Sequence, residues 1–213
     1  MPDTHDLLLF AAASIAFLLT PGPAVFYIVG NSVRDGRVAG LVSMLGITTG
    51  GLVHVAAAVL GLSALLASSA SAFNVIKLLG AAYLIYLGIR ALATSGSGAA
   101  LQAMPETSLK RAYLDGFIVN ALNPKPALFF MAFLPQFVNP DNGNSMIQFL
   151  VLGLLFEVLG LMTDSLWALT AGTLRNWLRR HVRLSSIPRR LSGAIFIGLG
   201  LWTALAGHRP GSN

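Results

Sequence analysis

Six times along this 213-residue chain, twenty or more residues pass with few or no charges: 7–29, 39–66, 73–93, 112–138, 146–171 and 187–206. A run of that length is what a helix needs to cross the roughly 30 Å hydrocarbon core of a bilayer. The runs are rich in Leu, Ala, Val and Gly and lack the alternating period of a membrane β-strand. The expected spans are therefore helices, which satisfy their backbone hydrogen bonds internally. Composition agrees: charged residues make up 10% of the chain, against about 25% in a soluble domain. A soluble enzyme and a disordered chain are both excluded. With no cysteine, so are disulfides, thiolate metal sites and thiol redox relays. The expectation is a single all-α integral membrane domain over 1–213 with six transmembrane helices. The longest connection, 94–111, opens on the flexible run Ser95-Gly96-Ser97-Gly98 and leaves no room for a soluble domain.

The residues ahead of the first span carry Asp3 and Asp6 and no Lys or Arg. A secretory signal has a basic leader, so this span is expected to stay in the mature chain. Eleven of the 14 Lys and Arg residues fall at the connections after the first, third and fifth spans, which marks those connections as cytoplasmic. Both termini are then expected in the periplasm of a bacterial cell, with the chain in its inner membrane. The basic run 175–190 reads as a stop signal touching anionic lipid rather than a nucleic-acid patch, so the bilayer is the expected partner and nucleic acid is not.

The first and fourth spans each carry two prolines one residue apart, in Thr20-Pro21-Gly22-Pro23 and Asn123-Pro124-Lys125-Pro126. The prolines match at an offset of 103, which also places Gly50 on Gly153 and His54 on Glu157. Three spans per half would insert the second half upside down, a 3+3 inverted-topology repeat with halves of about 1–95 and 110–208. Each proline removes an amide and clashes with the carbonyl four residues back, so helices one and four are expected to break. At about 1.5 Å per residue, both breaks fall near mid-membrane, where open backbone survives only against protein or a cavity. Paired breaks at matching positions point to a transporter binding site. Two ordinary packing kinks are the competing explanation.

These motifs occur in a familiar order. Gly46-x-x-x-Gly50-x-x-x-His54 follows the first break, and Gly80-Ala-Ala-Tyr-Leu-Ile-Tyr-Leu-Gly88 lies in the third span. Gly116-Phe117-x-x-Asn120-x-x-Asn123-Pro124-Lys125 and Phe133-Leu134-Pro135-Gln136-Phe137 occupy the fourth, and Ser192-Gly193 and Gly198-Leu-Gly200 the last. The whole chain resembles the LysE/RhtB family of amino-acid exporters. The resemblance implies export of amino acids or close relatives from the bacterial cytoplasm, driven by proton exchange, with no cofactor. Pro126 departs from it, standing where a small residue is more usual, and is expected to bend span four more sharply.

Ionisable groups inside a membrane are costly and serve as default functional candidates. Four lie away from span ends: His54, Lys125, Glu157 and Asp164. Glu157 and Asp164 are two helical turns apart and form one stripe with Gly153 and Gly160, expected to face the bundle interior. A carboxylate suits the ammonium of a zwitterionic substrate, and one taken out of water can also trade a proton. The expected proton-coupling residues are therefore Asp164 and Glu157, then His54. Each has a structural alternative, a carboxylate tied to Lys125 or a histidine bonded for packing. The expected substrate-binding residues are Thr20, Pro21, Gly22, Pro23, Asn120, Asn123, Pro124 and Lys125. Lys125 would pair a substrate carboxylate or one of the acidic residues, and the two asparagines would bond substrate or freed backbone. Gly46 and Gly50 are expected to let helices approach closely.

Two other functions compete. A cation or metal transporter is disfavoured because no two carboxylates and a His cluster at ligand spacing on one helix, and Lys125 would repel the cargo. An intramembrane aspartyl protease needs two Asp on facing helices, and only Asp164 qualifies. The reading is thus a carrier, not an enzyme, with no metal site. Its partners are a small zwitterionic substrate, protons and lipid, and its composition is compatible with a homo-oligomer.

Overall fold

The computed structural model describes residues 2–62 and 108–174, together with the isolated positions 75, 78, 79, 82, 85, 86, 89, 197 and 201. The rest of the third and sixth apolar stretches, most of connection 94–111 and the basic run 175–190 lie outside the described residues. So do their motifs from Gly80 to Gly88 and from Ser192 to Gly200, apart from the isolated positions.

The described residues are all-helical, with no strand among them. α1 spans Thr4–Leu19 and α2 spans Pro23–Asp35, and the two meet at 55° across residues 20–22. Gly36, at φ 94°, turns the chain directly into α3, Arg37–Ala57, in a backbone region that favours glycine. α3 closes with a π-helical turn over Ala58–Leu62. α4, Leu109–Ala121, and α5, Pro124–Phe133, form a second bent pair, at 41°. α5 tightens into a 3₁₀ turn over Leu134–Phe137, and a second one follows at Pro140–Asn142. α6, Ser145–Thr173, is the longest element at 29 residues.

By length and composition, two helices are long and apolar enough to cross a membrane alone, Arg37–Leu62 and Ser145–Thr173, and each bent pair passes the same test taken together, as a broken span or a re-entrant loop. These four match the first, second, fourth and fifth apolar stretches to within a few residues at most of their ends. The order, a bent pair followed by a straight helix, occurs twice.

Small residues set the packing. α3 lies flat on α4 because Gly46 sits against the Tyr113 carbonyl, Gly50 against the Phe117 carbonyl, and Gly116 faces the Ser43 carbonyl. A Cβ on any of them would collide with backbone. On the other side, Phe10 and Phe17 of α1 interleave with Phe129 and Phe133 of α5 and Phe156 of α6. The closest ring centroids are 4.2 Å apart, between Phe17 and Phe129. The α5–α6 corner is fixed by Gln148, which is fully buried. Its amide donates to the Asn139 and Gly143 carbonyls at 2.8 and 3.2 Å and accepts from the Asn139 amide.

The second pair bends less than the first, 41° against 55°. Pro124 and Pro126 take the first and third positions of α5. Amides there have no partner inside a helix, so proline costs nothing further. The break itself lies just before them, at Leu122 and Asn123.

Candidate functional site

A helix carbonyl bonds the amide four residues on, so Pro21 leaves the Phe17 carbonyl without its partner and Pro124 does the same to Asn120. Buried carbonyls must find other donors. The Phe17 carbonyl accepts from the Thr20 amide at 3.2 Å and from the Thr20 hydroxyl. It also accepts from the Lys125 ammonium, which reaches over from the second break at 3.1 Å. The same ammonium donates to the Thr20 carbonyl at 2.7 Å and stands 4.5 Å above the Phe17 ring. The Asn120 carbonyl accepts from the Asn123 amide at 2.9 Å and lies 2.7 Å from His54 Nε2. A carbonyl only accepts, so that ring nitrogen carries the proton. Asn120 donates its side-chain amide to the Ile47 carbonyl at 2.8 Å. Asn123 accepts the Lys125 amide at 3.0 Å and caps α5. The two breaks therefore touch, each closed by a side chain from the opposite half.

Between them lies a cavity of about 50 Å³. At about 10–15 Å³ per water-sized site, it holds a handful of water molecules, or one ammonium-and-carboxylate head group, in this conformation. Phe17 and Leu18 of α1, Gly22, Ala24 and Val25 at the start of α2, and Ile47 and Thr48 of α3 line one side. Asn120, Asn123, Lys125 and Pro126 from the second break and Phe156, Glu157, Gly160 and Asp164 of α6 line the other.

Glu157 is 8% exposed and Asp164 7%. Among the described residues neither carboxylate accepts a hydrogen bond or forms an ion pair, and both residues line the cavity. Gly51 makes the space for one of them: a Cβ there would stand 2.6 Å from Glu157 Oε2. Gly22 does the same for Lys125, whose Cδ would be 3.0 Å from an added Cβ. A buried, unpaired carboxylate is expensive, and an apolar core of similar shape would be cheaper. Two beside one small cavity make a place for a cation, an ammonium group or protons. Among the described residues, no three His, Asp or Glu side chains gather as a metal cage.

The chain matches the LysE type translocator family over residues 15–207. It belongs to that family. It is also similar to three membrane proteins that carry no assigned activity. YrhP of Bacillus subtilis is 28% identical, with 95% of this chain and all of the relative covered. One from Vibrio cholerae is 31% identical over 96% of this chain and 98% of the relative. One from Pseudomonas aeruginosa is 30% identical over 94% and 95%. No solved structure matches the chain. Membership in a translocator family and kinship to membrane proteins make this LysE-type chain a multi-pass membrane protein of a transporter family.

Of the residues singled out in the sequence, the cavity of this translocator gathers Gly22, Asn120, Asn123, Lys125, Glu157 and Asp164. Thr20, Pro21, Pro23, Pro124 and His54 are not among its lining residues. Thr20 is buried and turned back on Phe17, Pro23 and Pro124 are exposed, and His54 sits behind the wall on the Asn120 carbonyl. Sequence reading passed over Phe17, Gly51, Ala24 and Val25. A signal existed for Phe17, which lies four residues before Pro21 as Asn120 does before Pro124. None existed for Gly51, whose relation to Glu157 arises from α3 packing on α6.

Proposed function

We propose that this LysE-type chain exports amino acids or close derivatives from the bacterial cytoplasm in exchange for protons. One observation carries the reading: a small cavity between two broken helices, walled by two buried carboxylates that, among the described residues, accept no hydrogen bond and form no ion pair. A zwitterion's ammonium is the natural counter-charge for such a pair, and protons are the natural replacement when the substrate leaves. A group couples two ligands only when its affinity for one depends on the other. Glu157 and Asp164, which meet both the cavity and each other's field, fit that requirement. Asn120, Asn123, Lys125 and the prolines shape the breaks around them, and His54, on the Asn120 carbonyl beside the cavity wall, is a secondary proton candidate. The proposed architecture is six spans in a 3+3 inverted repeat, in the inner membrane with both termini periplasmic. Reporters fused after residues 31 and 94 would then read cytoplasm, and those after residues 70 and 213 periplasm. A cytoplasmic C-terminus would end the six-span assignment.

The functional test is resistance profiling of an overproducing strain against toxic amino-acid analogues and against metal salts. Analogue resistance lost on Asp164→Asn supports export. Metal resistance instead would favour cation transport, and neither would overturn both.

A further inference from the structure

The two half-helix starts at the cavity are not equivalent. In α5, the first and third positions are Pro124 and Pro126, which have no amide hydrogen, and the second, Lys125, gives its amide to Asn123 Oδ1 at 3.0 Å. The first turn of α5 therefore has no donor left for a ligand. In α2, Pro23 takes the first position, but Ala24 and Val25 keep their amides. Gly22, as N-cap, has no side chain to accept them, and among the described residues neither amide has an acceptor. Gly22, Ala24 and Val25 all line the cavity. Such amides lie along the helix axis and carry the positive end of its dipole. Independently, Glu157 and Asp164 line the same cavity, more than nine-tenths buried and with no hydrogen bond or ion pair among the described residues.

The geometry points to a carboxylate subsite at the α2 N-terminus, formed by the Ala24 and Val25 amides, with Glu157 and Asp164 holding the ammonium of the same substrate. This rests on the export reading above and adds to it which groups recognise the amino-acid head. The class of substrate is then a free α-amino acid with an unmodified carboxylate. Lys125 is a positioning residue whose ammonium donates to the Phe17 and Thr20 carbonyls.

Val25→Pro tests the subsite, because it writes into α2 the Pro-x-Pro first turn that α5 already folds with. It deletes one amide hydrogen, and Val25→Ala controls for the lost side chain. L-threonine, L-leucine and L-lysine, each against its carboxamide, serve as probes in binding and vesicle transport. Wild type and Val25→Ala should prefer the acid. In Val25→Pro that preference should shrink about tenfold or more, as loss of a bond to a charged group implies. If Val25→Pro does not fold, the Ala24 and Val25 amide nitrogen resonances of wild type should move with the acid and not with the carboxamide. A wild-type preference undiminished in Val25→Pro, or unmoved resonances, overturns the subsite while leaving export standing. Wild type that handles none of the three amino acids overturns the export reading, and the subsite with it.

Discussion

Replacing Lys125 by methionine keeps the stem against Gly22 and the Phe17 ring but removes the ammonium that joins the two breaks. The cost divides unevenly. The Phe17 carbonyl retains the Thr20 amide at 3.2 Å and the Thr20 hydroxyl, so it loses one donor of three. The Thr20 carbonyl loses the donor at 2.7 Å. A hydrogen bond to a charged group contributes about 1.5–3 kcal/mol in soluble proteins. Side-chain bonds inside membrane proteins average about 0.6 kcal/mol and reach about 1.7. Taking the upper membrane figure for Thr20 and the average for Phe17, Lys125→Met should destabilise the fold by about 2 kcal/mol. Equilibrium unfolding in mixed micelles, titrated with a denaturing detergent, measures this directly. If Lys125→Met unfolds at the wild-type midpoint while substrate affinity collapses, Lys125 is a substrate contact and not a strut between the breaks.

Asp164→Asn and Glu157→Gln should each remain folded in gel filtration, and at least one should lose proton-driven efflux while keeping substrate-for-substrate exchange, a cycle without net proton movement. Gly51→Ala drives a Cβ into the Glu157 carboxylate, and since that end can swing, stability should hold while substrate affinity drops several-fold in a binding assay. Gly46→Ala meets the rigid Tyr113 carbonyl instead and should lower stability by about 1–3 kcal/mol in the same unfolding titration, with α3 pushed off α4.

The two long helices and the two bent pairs among the described residues were legible because two coarse signals dominate inside a membrane. Apolar length fixes where a helix can cross, and paired prolines fix where it cannot stay continuous. That Gly153, Glu157, Gly160 and Asp164 share a buried face of α6 was likewise plain from their spacing. The destination of each polar side chain was not. Lys125 was readable only as a charge near a break; that its ammonium ends on the carbonyls freed by Pro21 depends on how the halves meet. The two breaks looked alike in sequence, yet Asn123 restarts α5 one residue on, whereas Thr20 turns its hydroxyl back on Phe17, and α2 restarts only at Pro23. The caps differ too: Asn123 accepts the Lys125 amide, whereas Gly22 has no side chain to accept the amides of α2.

The central claim, that the cavity exchanges an amino acid for protons, is tested most directly in proteoliposomes that carry an internal pH indicator and labelled amino acid. With the outside made acidic, wild type should release label faster, and the interior should acidify in step with release. The Asp164→Asn, Glu157→Gln double variant should release label no faster under the gradient than without it. Efflux indifferent to the gradient in wild type, or equally steep in the double variant, would contradict the account.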